Sequence, residues 1–436
     1  MTADIISKPL TLPCGAVLSN RLGKAAMTEG LGDAHGRPTV AHERLYRVWA
    51  ASGAGLLLTG NVIIDADHLE RPGNVVIARK PDDETRARLV AWAKAGTSGG
   101  NHLWMQLSHA GRQTQVLTNP RPKAPSAVAL ALPGKQFGEP VALTEREIED
   151  LIARFAMAAG VARETGFTGV QIHAAHGYLI SQFLSPRSNR REDRWGGSLE
   201  NRSRFLLETI AAVRGAVGKD FPVSVKLNSA DFQKGGFAFE DSLVVARRLQ
   251  DASVDLIEVS GGSYEQPAMM NVAGLEAPTP PDLPASTAAR EAYFVDFAKA
   301  MRSALKIPVM VTGGLRSRAA VLQALESNAA DVVGLGRPMC PEPNAPRQLL
   351  DGAASLTRWE DTLRLLPPPL AWLKRFPMVR ALDGFAVLYW FYAQLYRLGR
   401  GEAVDLRLSV FKAFREVDAT HRRLAREIKT ARAPRP

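Results

Sequence analysis

Cysteine is nearly absent. The 436 residues hold two, Cys14 and Cys340, too few for a four-thiolate cluster and without a CxxC spacing, which argues against zinc and iron–sulfur centres. A disulfide framework is equally unsupported, and the scarcity suits a reducing cytosol; a cytoplasmic protein is expected. Long apolar runs are missing too. No uncharged apolar stretch reaches 18 residues, so no membrane-spanning helix is expected. The start, MTADIISKPLTLPCG, has no apolar run behind a basic segment and does not read as a signal peptide. There is no repeat of solenoid period, no HExxH and no nucleic-acid-binding motif, so nucleic acid is not an expected partner.

Charge is present but uneven. The formal net charge is +11. Residues 351–436 contain 16 Lys and Arg against 9 Asp and Glu, a surplus of seven that leaves only four for the first 350 residues. The basic character belongs to the tail, and a basic tail reads as a solvated face or a surface for an anionic partner. The composition, 46% hydrophobic and 23% charged, is that of an ordinary globular protein.

What fills the first 350 residues is an alternation of short apolar runs with longer helical patterns, the signature of a parallel sheet. Strands are expected at Leu22–Met27, Gly55–Val62, His102–Leu107, Thr168–His173, Val223–Leu227, Leu256–Ser260, Val309–Gly313 and Asp331–Leu335. Helices are expected at Ala41–Ser52, Asp82–Ser98, Thr144–Glu164, Leu199–Val217, Phe239–Asp251, Thr287–Leu305, Ser317–Ser327 and Asn344–Leu350. Thr144 with Glu147 three residues later forms a capping box. Eight strands each followed by a helix predict an α/β fold, a closed (β/α)8 TIM barrel over residues 1–350, with a helical, basic C-terminal extension over 351–436. Two long connections, Gln113–Leu143 and Gly261–Ser286, follow strands and so project from the face where active sites form.

Barrel enzymes carry reacting groups at the C-terminal strand ends. Turn chemistry explains the glycines there. It explains Gln106, His173 and Lys226 less well. HAAHGY, residues 173–178, places His173 and His176 at a strand end with Tyr178 just beyond. No third ligand completes a metal set, so the pair reads as hydrogen-bond donors to a carbonyl oxygen, and Tyr178, a phenol protonated at neutral pH, as a proton donor. TGG (312–314) and LGR (335–337) end the last two strands. Glycine backbones admit a phosphate to peptide N–H groups and an arginine can clamp it. Lys226 could offset an electron-rich cofactor ring or a phosphate; otherwise it is a snorkelling lysine.

These residues resemble the old yellow enzyme family of NAD(P)H:flavin oxidoreductases. The strongest block is HAAHGYLISQFLSPRSNRREDRWGGSLENRSRF (173–205), and QLSHAGRQT (106–114), LSNRLGKAAMTE (18–29), VTGGL (311–315) and GLGRP (334–338) follow the family's order. The resemblance covers roughly residues 5–350. It implies FMN in the barrel mouth and NAD(P)H as reductant. Ala25, Ala26, Met27 and Thr28 would line the flavin, with Thr28 tuning its potential. Asn61 (or Gly60) would touch the ring, Gln106 would read its pyrimidine edge and Lys226 would stabilise its reduced anion. Gly313, Gly314, Gly336 and Arg337 would hold the phosphate. His173 and His176 would grip the carbonyl of an enone-type small-molecule substrate, and Tyr178 would protonate it. The sequence departs from common family residues at Ala26, Thr28, Glu29 and Gly30, which bears on substrate preference and redox tuning. It also lacks the cysteine-rich region of dienoyl-CoA-reducing relatives.

The tail's FAVLYWFYAQLYRL (385–398) is apolar and aromatic. It is expected to pack on the barrel or a second subunit, a homo-oligomer, with peripheral membrane contact through 385–400 as the alternative. Rival functions are a Schiff-base aldolase barrel using Lys226 and a non-catalytic flavin sensor or scaffold.

Overall fold

Short runs of Val, Leu, Ile and Met suit a sheet covered on both faces. In the computed structural model, which describes residues 4–130, 132, 136–262 and 297–432, eight such runs lie parallel: β1 (Leu22–Lys24), β2 (Leu56–Ile63), β3 (His102–Ser108), β4 (Gly169–Ala174), β5 (Val223–Asn228), β6 (Leu256–Ser260), β7 (Val309–Thr312) and β8 (Val332–Leu335). They close into a barrel because β1 pairs on both sides, Gly23 lying opposite Leu56 of β2 and Gly334 of β8 opposite the same residue. The expected (β/α)8 architecture is present. β1 is shorter than expected. Its ladder ends with Ala25 N–H donating to Leu335 O (2.8 Å).

The outer helices follow their predicted order: α1 (Val40–Ala50), α2 (Asp83–Gly96), α3 (Glu145–Glu164), α4 (Leu199–Val217), α5 (Phe239–Asp251), α6 (Arg318–Glu326) and α7 (Ala345–Leu350). Thr144 and Glu147 make the predicted reciprocal cap on α3. Of the expected helix Thr287–Leu305, residues 297–304 are helical; residues 287–296 lie outside the described residues, as does loop 261–286 from residue 263 onward.

The lower end of the barrel is apolar and closed. An antiparallel pair, Leu10–Thr11 with Val17–Leu18, brings Leu10, Leu12 and Leu18 against Leu56, Leu58, Trp104, Leu256, Met310 and Val332. Polar side chains gather at the opposite, C-terminal end of the strands.

Beyond short helical turns at Trp359–Thr362 and Pro368–Arg375, the extension forms two long helices among its described residues, α8 (Pro377–Arg400) and α9 (Val410–Arg432), joined through Gly401 in the left-handed conformation that ends α8 (φ 81°). α8 joins the barrel's own core: Ala386, Trp390, Phe391, Ala393 and Leu395 are buried. Trp390 Nε1 donates to Leu408 O (2.8 Å), Gln394 exchanges hydrogen bonds with the Asp405 backbone (3.0 and 2.8 Å), and Tyr396 meets His421 Nε2 at 3.0 Å. α9 lays Ile428 against Ile63 and Leu69, and its Arg432 donates to Ala66 O in the loop after β2. Packing on the barrel accounts for the centre of the aromatic run, since every residue from Trp390 to Tyr396 is buried, while Phe385 at its start stays 52% exposed. No described helix is long and apolar enough to cross a membrane.

Candidate active site

The strand ends bring the expected residues into one ring. Asn61 on β2 lies opposite Gln106 on β3, Gln106 opposite Gln171 on β4, and His173 opposite Lys226 on β5. At the seam, Met27 Sδ lies 3.7 Å from Cys340 Sγ and is the nearest atom, at 4.0 Å, to where a Cβ on Gly336 would stand.

HAAHGY folds as a tight turn. His176 takes a left-handed backbone (φ 61°) followed by Gly177 (φ 75°), a conformation that costs a non-glycine residue about 1–3 kcal/mol and persists only where the surroundings enforce it. Here Asn228 Oδ1 accepts His176 N–H (3.1 Å), Gln113 Nε2 donates to His176 O (3.0 Å) and the His176 ring meets Ser260 Oγ at 2.6 Å. The result is a compact trio: the His173 ring centre lies 5.1 Å from that of His176 and 4.8 Å from that of Tyr178. Ala175 N–H donates to His173 Nδ1 (3.2 Å), so the neutral ring carries its proton on Nε2. Burial holds both imidazoles well below the usual histidine range, helped for His173 by His176 and Lys226 and for His176 by Lys226. Both are neutral at pH 7, as donors to a carbonyl oxygen should be.

Below the mouth runs a buried polar chain that the sequence reading missed. Gln106 Nε2 donates to Gln171 Oε1 (2.7 Å), Gln171 Nε2 to Glu258 Oε2 (2.9 Å), and Lys226 Nζ to Glu258 Oε1 (2.9 Å). Lys226 is therefore neither a snorkelling lysine nor a nucleophile: its ammonium is committed to a buried carboxylate. The available signal was a glutamate and a glutamine inside otherwise apolar strands, VQIH and LIEVS.

A second missed cluster supports the first strand end. The Glu29 carboxylate accepts from Tyr46 OH and from Gly60 N–H (2.9 Å), and lies 3.9 Å from the fully buried Lys24 ammonium. Burial lowers Lys24 to about 8 despite Glu29. Gly60 must be glycine: an added Cβ would lie 2.4 Å from both Glu29 Oε2 and Met27 O. Glu29, one of the departures from the family pattern, thus turns inward and fixes the strand-end backbone.

At the end of β7, Gly313 (φ 137°) and Gly314 (φ 66°) adopt backbones that L side chains rarely take, and Gly336 and Arg337 follow the neighbouring strand β8. Arg316, not foreseen, joins them. Its Nη2 lies 3.0 Å, and Arg337 Nη2 3.8 Å, from Glu360 Oε1 of the extension.

One further group, Asp65, His68 and His109, gathers ligand-type atoms within 4.8 Å. His68 Nε2 accepts Lys123 N–H (2.8 Å) and His109 Nδ1 accepts Gly111 N–H (3.0 Å). In neutral rings the nitrogens facing Asp65 therefore carry protons rather than lone pairs, and Arg154 also lies 3.4 Å from the carboxylate. Burial works to raise Asp65, but His109 and His68 overcome it and hold it well below the usual carboxylate range. This is a clasped carboxylate joining the loops after β2 and β3, not a coordination shell.

Within the ring, Asn61 Oδ1 and Thr312 Oγ1 are buried without a hydrogen-bond partner. Buried polar atoms of this kind cost about 1–3 kcal/mol each and fit a site that receives a polar ligand. The strands thus define a (β/α)8 barrel with a polar mouth at their C-terminal ends. The chain belongs to the NADH:flavin oxidoreductase / NADH oxidase family, whose model matches residues 6–355. It is 38% identical over 364 residues to the NADH-dependent flavin oxidoreductase iliE of Hypocrea jecorina (strain QM6a), covering 79% of this chain and 88% of that one. Its fold matches an old yellow enzyme homologue from Zymomonas mobilis (TM-score 0.67, 26% identity, 81% of this chain and 94% of that one). It also matches morphinone reductase in complex with tetrahydroNAD (TM-score 0.64, 26% identity, 80% and 91%). The protein is an NAD(P)H:flavin oxidoreductase of the old yellow enzyme type, with FMN as cofactor and NAD(P)H as reductant.

Proposed function

We propose that this enzyme reduces the activated C=C bond of α,β-unsaturated carbonyl compounds, and that residues 1–350 form the catalytic unit. Gly313, Gly314, Gly336 and Arg337 would hold the FMN phosphate, and Ala25, Ala26, Met27, Thr28, Asn61, Gln106 and Lys226 the ring. Bound FMN would supply the hydride chemistry, with NAD(P)H as the reductant. His173 and His176 bind the substrate's carbonyl oxygen; neutral N–H donors at this oxygen stabilise the charge that develops on it. Tyr178 stands beside both rings and delivers the proton to the α-carbon. Lys226, anchored on Glu258, contributes a fixed positive charge near the β4 and β5 strand ends.

The observation that carries this reading is the trio itself: two neutral buried imidazoles and a phenol within one turn, above the polar chain. An aldolase using Lys226 is disfavoured by the Lys226–Glu258 pair, since a Schiff base needs the amine lone pair. The test is two anaerobic half-reactions. NADH or NADPH should bleach the flavin of the purified protein, and 2-cyclohexenone should restore its colour. Flavin that is reduced by NAD(P)H but not reoxidised by a panel of enones would overturn the substrate class and leave the oxidoreductase intact.

A further inference from the structure

Glu360 lies outside the residues matched by the family model, yet it reaches the proposed phosphate end of the barrel mouth. It is delivered there by a segment fastened to the loop after β7. Leu356 N–H donates to Arg316 O (2.7 Å), Arg318 N–H donates to Ala354 O (2.9 Å), and Ser317 and Ser355 form a bridge. The next residue upstream, Trp359, donates from Nε1 to Glu342 Oε1 (2.8 Å) and stacks on Trp390 of α8 (ring centres 5.8 Å apart). One carboxylate oxygen thereby faces two guanidiniums, Arg316 at 3.0 Å and Arg337 at 3.8 Å. Burial works against its ionisation, but Arg316 and Arg337 overcome this and hold Glu360 below the usual glutamate range, so it is a carboxylate at neutral pH.

We propose that Glu360 competes with the FMN phosphate for Arg316 and Arg337, so that binding of the phosphate weakens the carboxylate's hold on these two guanidiniums. This rests on the phosphate assignment made above. A carboxylate and a phosphate present the same kind of oxygen acceptor to an arginine fork. Two guanidiniums balance a phosphate dianion. With Glu360 still in place the four groups would carry one uncompensated negative charge, so phosphate and carboxylate oppose one another. Because such coupling is reciprocal, flavin binding loosens the hold of residues 354–360, and through Trp359 it is felt by α8. The extension then reports whether the barrel holds its cofactor.

The experiment measures dissociation constants of FMN and of riboflavin, which lacks the phosphate, on full-length protein stripped of flavin. Glu360→Gln should bind FMN about fivefold more tightly, the scale of one charge pair, with riboflavin unchanged. Unchanged or weaker FMN binding, or an equal gain for riboflavin, overturns the proposal. Wild-type protein supplies an independent readout: amide hydrogen exchange across 354–363 should quicken on adding FMN but not riboflavin, and protection by FMN there overturns the competition. Arg337→Ala separates the two readings. If it leaves the preference for FMN over riboflavin intact, the phosphate assignment itself is wrong; if it abolishes that preference while Glu360→Gln does nothing, only the competition falls.

Discussion

Individual side chains at the barrel mouth do different work according to how they are buried. Tyr178 is the proposed proton donor, and its hydroxyl can be removed with little change in packing. Tyr178→Phe should leave flavin reduction by NAD(P)H within about twofold while slowing enone-driven reoxidation by about 10²-fold or more, as general-acid loss does. Stopped-flow absorbance of each half-reaction separates the two, and loss of both would unseat the assignment. Lys226 has a structural duty beside its electrostatic one. Lys226→Met strands Glu258 in the interior, with no cation at 2.9 Å, and should destabilise the fold by about 3–5 kcal/mol. Chemical denaturation should show this loss, with Lys226→Arg recovering most of it.

Elements differ in how much they owe to local sequence. α3 begins where its capping box says it must, because Thr144 and Glu147 satisfy each other's backbone donors within one turn. α8 owes its place to tertiary packing. Trp390 is fully buried, stacked on Trp359, and its indole N–H is committed to Leu408 O. Trp390→Ala should cost about 3–5 kcal/mol, read from urea melts. It should also expose the 401–409 connection to limited proteolysis; a variant as resistant as the wild type would show that α8 does not dock the extension. The mouth loops follow a third rule. The HAAHGY turn is unfavourable in isolation at His176 and exists because Asn228, Gln113 and Ser260 hold it from three other elements.

For the whole molecule, buried neutral histidines set the response to acid. Burial lowers His42 to about 3 and His421 to about 4, against opposing contributions from Thr39 and Asp33 at His42 and from Glu70 and Asp418 at His421. The unfolded chain protonates these rings below the ordinary value near 6.5, while the folded chain does not. Stability is therefore lost as pH falls from 6.5 toward 4, by about 2 kcal/mol for each of these two histidines at pH 5, with His173 and His176 adding in the same direction. Melting temperature should hold between pH 8 and 7 and drop steadily from pH 6.5 to 5. A flat profile over that lower range would mean the histidines are not neutral in the folded protein. The barrel and its extension should lose structure together, since α8 shares one apolar core with the barrel.

The sequence by itself determined the barrel, because eight apolar runs and their helices are local patterns, each readable within a dozen residues, and it determined the strand-end positions of His173, His176, Tyr178, Gly313, Gly314, Gly336 and Arg337 for the same reason. Only the tertiary structure decided which partners those residues keep. Glu258 under Lys226, Glu29 under Gly60, Glu360 between Arg316 and Arg337, and α8 folded onto α1 are all meetings of residues far apart in the chain, and a pairwise contact across such separations leaves no periodicity for a single sequence to display. The aromatic run of α8 shows the limit: its apolar character demanded cover, but only packing decided that the barrel covers Trp390 to Tyr396.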